Sequence, residues 1–162
     1  AEPDCDERRG HRTVTSLIAA VAVVIRHVFV YGTLRPGDVR WPMLEPFVVD
    51  AGSLDTTDGS LFDTGLDYPA AVFGTGDTIV GQTLALLETS LDRALRVLDH
   101  VEDVVGGEYA RVRVRTGLGI DAWAYAYGTG LELAPISSGD WFRHRPPARH
   151  HPEPDPQPDP QR

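Results

Sequence analysis

Short runs of strand-forming residues, separated by glycine-containing turns, limit the fold of this chain more than any other feature. They occupy the segment from about His27 to Arg145. This alternation is typical of compact sheets built from short strands. Two connections are rich in turn residues, GLDYPA at 65–70 and GTGD at 74–77. The runs that predict strands are residues 28–31, 59–63, 78–87, 109–115 and 121–127.

The last two runs predict a β-hairpin, because both alternate apolar and polar residues and the glycine-containing loop TGLGI joins them. The segment TSLDRALRVLDHVED, residues 89–103, has helical spacing instead, and Thr89 or Ser90 can cap its first turn. Short strands with one clear helix predict an α+β domain built around a small mixed sheet or barrel. Periodicity alone does not choose between barrel and sheet.

One carboxylate lies on the apolar side of the predicted helix. At about 100° per residue, Leu91, Leu95 and Leu98 form the centre of an apolar stripe, and Glu102 falls on the same stripe. A buried carboxyl costs free energy unless it is paired or neutral, and desolvation raises its pKa toward neutrality. If the helix continues that far, Glu102 points inward and can exchange protons near neutral pH.

Two other interpretations of Glu102 stay open. The helix can end near His100, which would leave Glu102 solvated in the following loop. Alternatively, Glu102 can pair with an arginine of the next strand, where Arg111, Arg113 and Arg115 share one face. Three like charges in a row more often form a solvated face.

The turn GTLRPG follows the first strand directly. Such a turn presents consecutive backbone N–H groups that no neighbouring strand need satisfy, which makes a concave site for a carboxylate or a developing oxyanion. Gly32 allows a ligand to approach the backbone closely. The turn lacks the GxxxxGK[ST] pattern of phosphate loops and the GxGxxG pattern of dinucleotide sites. A purely structural turn is the alternative.

Composition excludes several classes of function. The 162 residues suit one compact domain. With 24 acidic and 15 basic residues the net charge is −9, which argues against nucleic acid or an anionic membrane as the main partner. Every basic residue is arginine, so lysine Schiff-base chemistry is excluded, whereas arginine can still grip a carboxylate. Nothing in the sequence predicts an oligomeric state.

The two flanks are predicted to lie outside the domain. Residues 1–26 form an N-terminal extension whose apolar run, residues 17–25, is too short to span a bilayer, and a cytoplasmic location is expected. Residues 146–162 are proline-rich and polar, and are predicted to be disordered. The single Cys5 cannot form an internal disulfide, and the neighbouring His150 and His151 do not make a metal site.

Several motifs, taken in order, resemble the gamma-glutamylcyclotransferase-like family, in particular its bacterial branch and the related gamma-glutamylamine cyclotransferases. The resemblance covers nearly all of residues 27–142. The motifs are FVYGTLRPG at 29–37, YPA at 68–70, LDHVED at 98–103 followed by YARVRVR, AYAYG at 124–128 and SSGDW at 137–141.

The resemblance implies a fold and a site. The family fold is a small mixed β-barrel flanked by helices. Its YG[ST]L turn, here Tyr31, Gly32, Thr33 and Leu34, binds the glutamyl group through backbone amides. The last residue of its LDxxE motif, here Glu102, is the catalytic glutamate, and this is the residue that the helical stripe also selects.

Two departures from the family bear on substrate preference. After the turn, where family members often carry histidine or asparagine, this chain reads DVRWPMLEPF at 38–47. The glycine common after the catalytic glutamate is replaced by Asp103.

The implied reaction is intramolecular: the α-amino group of a γ-glutamyl substrate attacks its own γ-carbonyl, which forms 5-oxoproline and releases an amine. It needs no metal, cofactor or protein nucleophile. Glu102 would take the amino proton and pass it to the leaving amine. Tyr109 and Tyr127 are candidate pocket-wall residues whose hydroxyls could orient the substrate, and packing is their alternative role. Trp141 is predicted to be structural.

Two other functions stay open. A non-catalytic module of the same fold, binding a γ-glutamyl compound or another carboxylate, is favoured by Asp103 and the unusual RWPMLEP segment. A protein-interaction domain that uses the acidic surface and residues 146–162 is the third hypothesis.

Overall fold

A computed structural model of the chain describes residues 23–103 and 107–146. The predictions for Cys5, His150, His151 and most of the two flanking segments lie outside these residues. Within them the chain forms a mixed sheet with helices packed against it, as predicted. The strands are β1 His27–Val30, β2 Ser53–Asp63, β3 Pro69–Ala85, β4 Tyr109–Arg115, β5 Asp121–Tyr127 and β6 Ala134–Pro135. The helices are α1 Trp41–Leu44, α2 Leu91–Val101 and α3 Trp141–His144, with single 3₁₀ turns at Glu45–Phe47 and Glu88–Ser90.

The sheet has the strand order β4-β5-β1-β3-β2-β6. The central strand β1 runs antiparallel to β3 and parallel to β5. A bridge between Thr57 of β2 and Thr116 after β4 joins strands that are far apart in this order. The sheet therefore curls into a half-barrel.

Residues 28–30 of β1 are buried on both faces, which explains their unbroken apolar sequence. Val28 and Val30 contribute to one core, which the sheet shares with residues of α1 and α2 such as Leu44 and Leu98. Phe29 lies in a second core. Trp141, only 2% exposed, packs in that second core, which confirms its predicted structural role. The end of β1 is thus fixed from both sides.

The hairpin prediction is confirmed, because β4 and β5 pair in register from Tyr109 opposite Tyr127 to Arg115 opposite Asp121. The predictions for β2 and β3 were too short, since these strands begin at Ser53 and Pro69.

The prediction of a separate turn at 74–77 was wrong. These residues lie inside β3 and form a bulge, because the pairing passes from Asp58 opposite Thr78 to Gly59 opposite Phe73. The long pairing with β2 extends the strand across residues that would otherwise turn.

The predicted helix is present as α2, but the predicted capping hydrogen bond is absent. Ser90 holds the N-cap position and its side chain makes no capping hydrogen bond. The hydroxyl instead donates to the carbonyl of Leu87 at 3.4 Å. The apolar stripe is confirmed, with Leu98 fully buried and Leu91 and Leu95 packed against the same core.

None of the helices among the described residues is long and apolar enough to cross a membrane.

Candidate functional site

A small cavity of about 30 Å³ lies where β1 ends. Five parts of the chain meet there: β1 and its turn, the residue before α1, the start of β3, the end of α2, and β5. The described residues that line it are Phe29, Val30, Tyr31, Gly32, Thr33, Leu34, Arg40, Tyr68, Pro69, Glu102 and Tyr125.

The turn after β1 lines this cavity. Among the described residues, no carbonyl accepts a hydrogen bond from the backbone N–H of Gly32, Thr33 or Leu34. The carbonyls of the same turn are engaged, since Gly32 accepts from Arg35 N–H and Thr33 from Arg40 N–H, both at 3.0 Å. Fixed carbonyls and available amides make the turn a candidate anion-binding surface.

A buried arginine holds this turn in place. Arg35, 4% exposed, forms an ion pair with Asp140 at 3.0 Å and donates from Nε to Gln82 at 3.3 Å. Its guanidinium also lies 3.9 Å from the ring centroid of Phe142. Burial lowers the pKa of Arg35, and Asp140 opposes that effect by favouring the charged form. The turn is therefore tied to the segment around α3.

The predicted substrate residue Tyr31 has a defined hydrogen bond. Its hydroxyl donates to the backbone carbonyl of Tyr125 at 2.5 Å. Burial, followed by the nearby charge of Glu102, raises its pKa well above the usual value, so the hydroxyl stays neutral. Tyr31 thus connects β1 to β5 beside the cavity.

Gly32 is required by close packing against Pro69. A Cβ built on Gly32 would lie 2.7 Å from both Cδ and Cγ of Pro69. We expect Gly32→Ala to displace the turn and to destabilise the protein by about 1–3 kcal/mol, as overpacking typically does. Urea unfolding of Gly32→Ala, Pro69→Ala and the double variant measures this. The double variant should recover most of the loss, and strictly additive effects would contradict the contact.

Glu102 lies just beyond α2, as its C-cap residue. Its N–H donates to the carbonyl of Leu98 at 2.9 Å. Asp103 then adopts a left-handed conformation with φ of 48°, which ends the helix. Glycine, which members of the resembled family commonly carry at this position, would suit this φ. Aspartate is among the few other residues that tolerate it. The helix thus ends at Val101, yet Glu102 lines the cavity rather than a solvated loop.

The environment of Glu102 changes its acidity. Burial raises its pKa from 4.5 to about 7, Arg40 opposes this rise, and Glu108 adds to it. The residue as a whole is partly buried and lines the cavity. A carboxyl with such a pKa can both accept and donate a proton near neutral pH.

The expected alternative, an ion pair between Glu102 and an arginine of β4, was wrong. Arg111 pairs with Asp99 at 3.2 Å. Arg113 and Arg115 are exposed and pair with Asp121 at 2.9 and 3.4 Å. The arginines of β4 therefore lie on an outer face with other partners.

The structure adds three polar side chains that the sequence did not assign to the site. Tyr68 lines the cavity and donates from its hydroxyl to Glu108 at 2.6 Å. Tyr125 also lines it and donates to Asp99 at 2.7 Å. Arg40 lies 5.2 Å from the ring centroid of Tyr68. Tyr68 belongs to the YPA motif, and Arg40 belongs to the DVRW segment that departs from the family pattern. Both residues therefore lie in segments that the sequence had already marked as notable.

Tyr109 and Tyr127, expected at the pocket wall, are not among the residues that line this cavity. They face each other across the β4–β5 pair, with ring centroids 6.3 Å apart. The Tyr109 hydroxyl donates to the carbonyl of Pro69 at 2.9 Å, and the Tyr127 hydroxyl accepts from Leu131 N–H at 2.7 Å. Both hydroxyls are engaged by backbone, so the geometry favours a supporting role.

Of the predicted site residues, the structure brings together Tyr31, Gly32, Thr33, Leu34 and Glu102. Within the two described ranges, no group of three or more histidine, cysteine or acidic side chains could hold a metal ion.

Comparisons with known proteins agree with this fold. Similar solved structures include an uncharacterized protein of Pyrococcus horikoshii, with 24% identity, a TM-score of 0.57 and coverage of 74% of this chain and 92% of that one. YkqA of Bacillus subtilis has 28% identity and a TM-score of 0.52, and the match covers 75% of this chain but only 41% of YkqA. An AIG2-like protein of Mus musculus has 21% identity and a TM-score of 0.50, with 70% and 86% covered.

No curated protein sequence gives a significant match. The sequence model of one family, described as gamma-glutamyl cyclotransferase, AIG2-like, matches residues 28–143, a span that includes every residue of the cavity. This chain therefore belongs to the AIG2-like gamma-glutamyl cyclotransferase family.

Proposed function

We propose that the protein is a cyclotransferase that converts a γ-glutamyl amine or γ-glutamyl amino acid into 5-oxoproline and the free amine. The observation that carries this proposal is the pairing, in one cavity, of a carboxyl whose pKa is about 7 with a turn of available amides. Membership of the family supports the same reaction class.

In the proposed mechanism the amides of Gly32, Thr33 and Leu34 hold the substrate's α-carboxylate or its carbonyl oxygen. Holding the substrate in a folded conformation brings its α-amino nitrogen to its γ-carbonyl carbon. Such preorganisation can supply roughly 7–11 kcal/mol of barrier reduction. The residues that fix the turn, above all Arg35, serve this geometry.

Glu102 acts first as a general base and then as a general acid. Its carboxylate takes a proton from the α-amino group as the new N–C bond forms. The bond between the γ-carbon and the leaving nitrogen then breaks, and Glu102 returns the proton to that nitrogen. The carboxylate is regenerated, so no other group is consumed. A pKa near 7 suits both steps, since the acid and the base form are both accessible at neutral pH.

The proposal is tested by incubating the full chain with a panel of γ-glutamyl amines and γ-glutamyl dipeptides and measuring 5-oxoproline. Release from at least one class is expected. Ligand-induced thermal stabilisation without product across the panel would instead favour the binding module of the same fold. The cytoplasmic location and the absence of a cofactor requirement remain predictions.

A further inference from the structure

The cavity has a deep end and a mouth. The residues of the β1 turn that line it, including Gly32 and Leu34, are buried, whereas Arg40 and Tyr68 are partly exposed. A γ-glutamyl group seated on the turn amides would therefore have its leaving group directed toward Arg40 and Tyr68. Side chains at the mouth are placed to select the leaving amine.

Arg40 is the one basic side chain among the described residues that line the cavity. No carboxylate of those residues lies within ion-pair distance of it. Its guanidinium lies over the Tyr68 ring, and Glu108 holds the Tyr68 hydroxyl from the other end. Arg40 is also anchored through its backbone, since its N–H donates to Thr33. A charged donor is thus held at the mouth with no carboxylate of the described residues within ion-pair distance, although its charge also acts on Glu102.

On the basis of the proposed function, we propose that Arg40 binds the carboxylate of the leaving amino acid. The preferred substrates are then γ-glutamyl amino acids or peptides with a free carboxylate close to the scissile amide, rather than γ-glutamyl alkylamines. Guanidinium and carboxylate can form two parallel charge-assisted hydrogen bonds, which gives both affinity and direction.

A matched pair of substrates isolates this contact. γ-Glutamylalanine and γ-glutamylethylamide differ only in the carboxylate of the leaving group, and both keep the α-carboxylate of the glutamyl part. We expect the wild type to prefer γ-glutamylalanine in kcat/KM by roughly tenfold or more, as a charge-assisted contact at a partly exposed site allows. In Arg40→Met this ratio should fall toward one, and Arg40→Lys should keep part of it.

The ratio of the two kcat/KM values separates recognition of the leaving-group carboxylate from indirect effects of the substitution. Loss of the Arg40 charge also alters the acidity of Glu102, but this change affects both substrates and cancels in their ratio. Arg93→Met is the matched control, because Arg93 also lies over an aromatic ring, Phe47 at 5.8 Å, but does not line the cavity. It should leave the ratio at the wild-type value.

Two results would overturn the proposal about Arg40: equal kcat/KM for the two substrates in the wild type, or an unchanged ratio in Arg40→Met, whether or not both activities fall in that variant. Each leaves the cyclotransferase function standing as long as 5-oxoproline appears. If no member of the γ-glutamyl panel gives 5-oxoproline, the proposed function fails separately. Calorimetric Kd values for the same pair then test Arg40 by the same ratio.

Discussion

Glu102→Gln is expected to lower kcat for 5-oxoproline release by roughly 10²–10⁴-fold, the usual contribution of a positioned general acid–base group. The amide has nearly the shape of the carboxyl but can neither take the proton from the attacking amine nor return it to the leaving one. Because Glu102 acts on the proton and the turn amides hold the substrate, KM should change much less than kcat. Steady-state kinetics with the best substrate of the panel measures both.

Glu88→Gln is the control for this substitution. Glu88 precedes α2, its side chain is 72% exposed, and it pairs with Arg26 away from the cavity. Its activity should equal that of the wild type. Full activity in a folded Glu102→Gln variant would remove Glu102 from its assigned role, and a loss confined to KM would make it a binding residue.

The same substitution is expected to stabilise the protein at alkaline pH by up to about 3 kcal/mol, from the 1.36 kcal/mol per pKa unit. The folded-state pKa of Glu102 is about 7, above the ordinary value of 4.5. Between these two values the unfolded chain has lost the proton that the folded chain retains, so the stability of the wild type falls as pH rises from 4.5 to 7. Above pH 7 this loss of stability is complete, and below pH 4.5 it is absent.

Urea unfolding of the two proteins at pH 4 and pH 8 measures this difference. Glu102→Gln should match the wild type at pH 4 and exceed it at pH 8. Equal stability at pH 8 would mean that the carboxylate is well solvated in the folded protein. Glu88→Gln again serves as the control and should show no such pH-dependent gain.

Local sequence patterns predicted the parts of the fold that depend on local pairing. The β4–β5 hairpin follows from two alternating runs and a short glycine loop, and its bounds agree with the structure. The position of Glu102 followed from helical spacing, although α2 ends at Val101. One residue in a C-cap conformation was enough to keep the carboxyl on the apolar side.

The parts that the sequence did not predict depend on contacts between distant segments. The first half of β2 reads SLDTTD, which is too polar to indicate a strand. It is ordered by pairing with β3 and by the buried Asp55, which accepts hydrogen bonds from Thr83 and from Leu118 N–H. Such cross-strand interactions leave no periodic signal in either segment.

The tyrosines of the site show the same limit. Tyr125 lines the cavity and its neighbour on the strand, Tyr127, does not. The two lie on the same face of β5 by alternation. They differ only in their distance along the strand from the end of β1. The pairing of β1 with β5, in which Val28 lies opposite Trp123, sets that distance. Arg40 was likewise missed because its place at the mouth depends on how the turn folds back through the Arg40–Thr33 hydrogen bond.

The pH dependence of kcat/KM for 5-oxoproline release tests the central claim most directly, because it reports the ionisation of the free enzyme's essential base. With Glu102 as that base, activity should fall on the acidic side with a midpoint near 7, since its protonated carboxyl cannot accept the amino proton. A wild-type profile whose acidic midpoint lies near the ordinary carboxyl value of 4.5, or one without an acidic limb, would contradict a desolvated Glu102 as the proton acceptor.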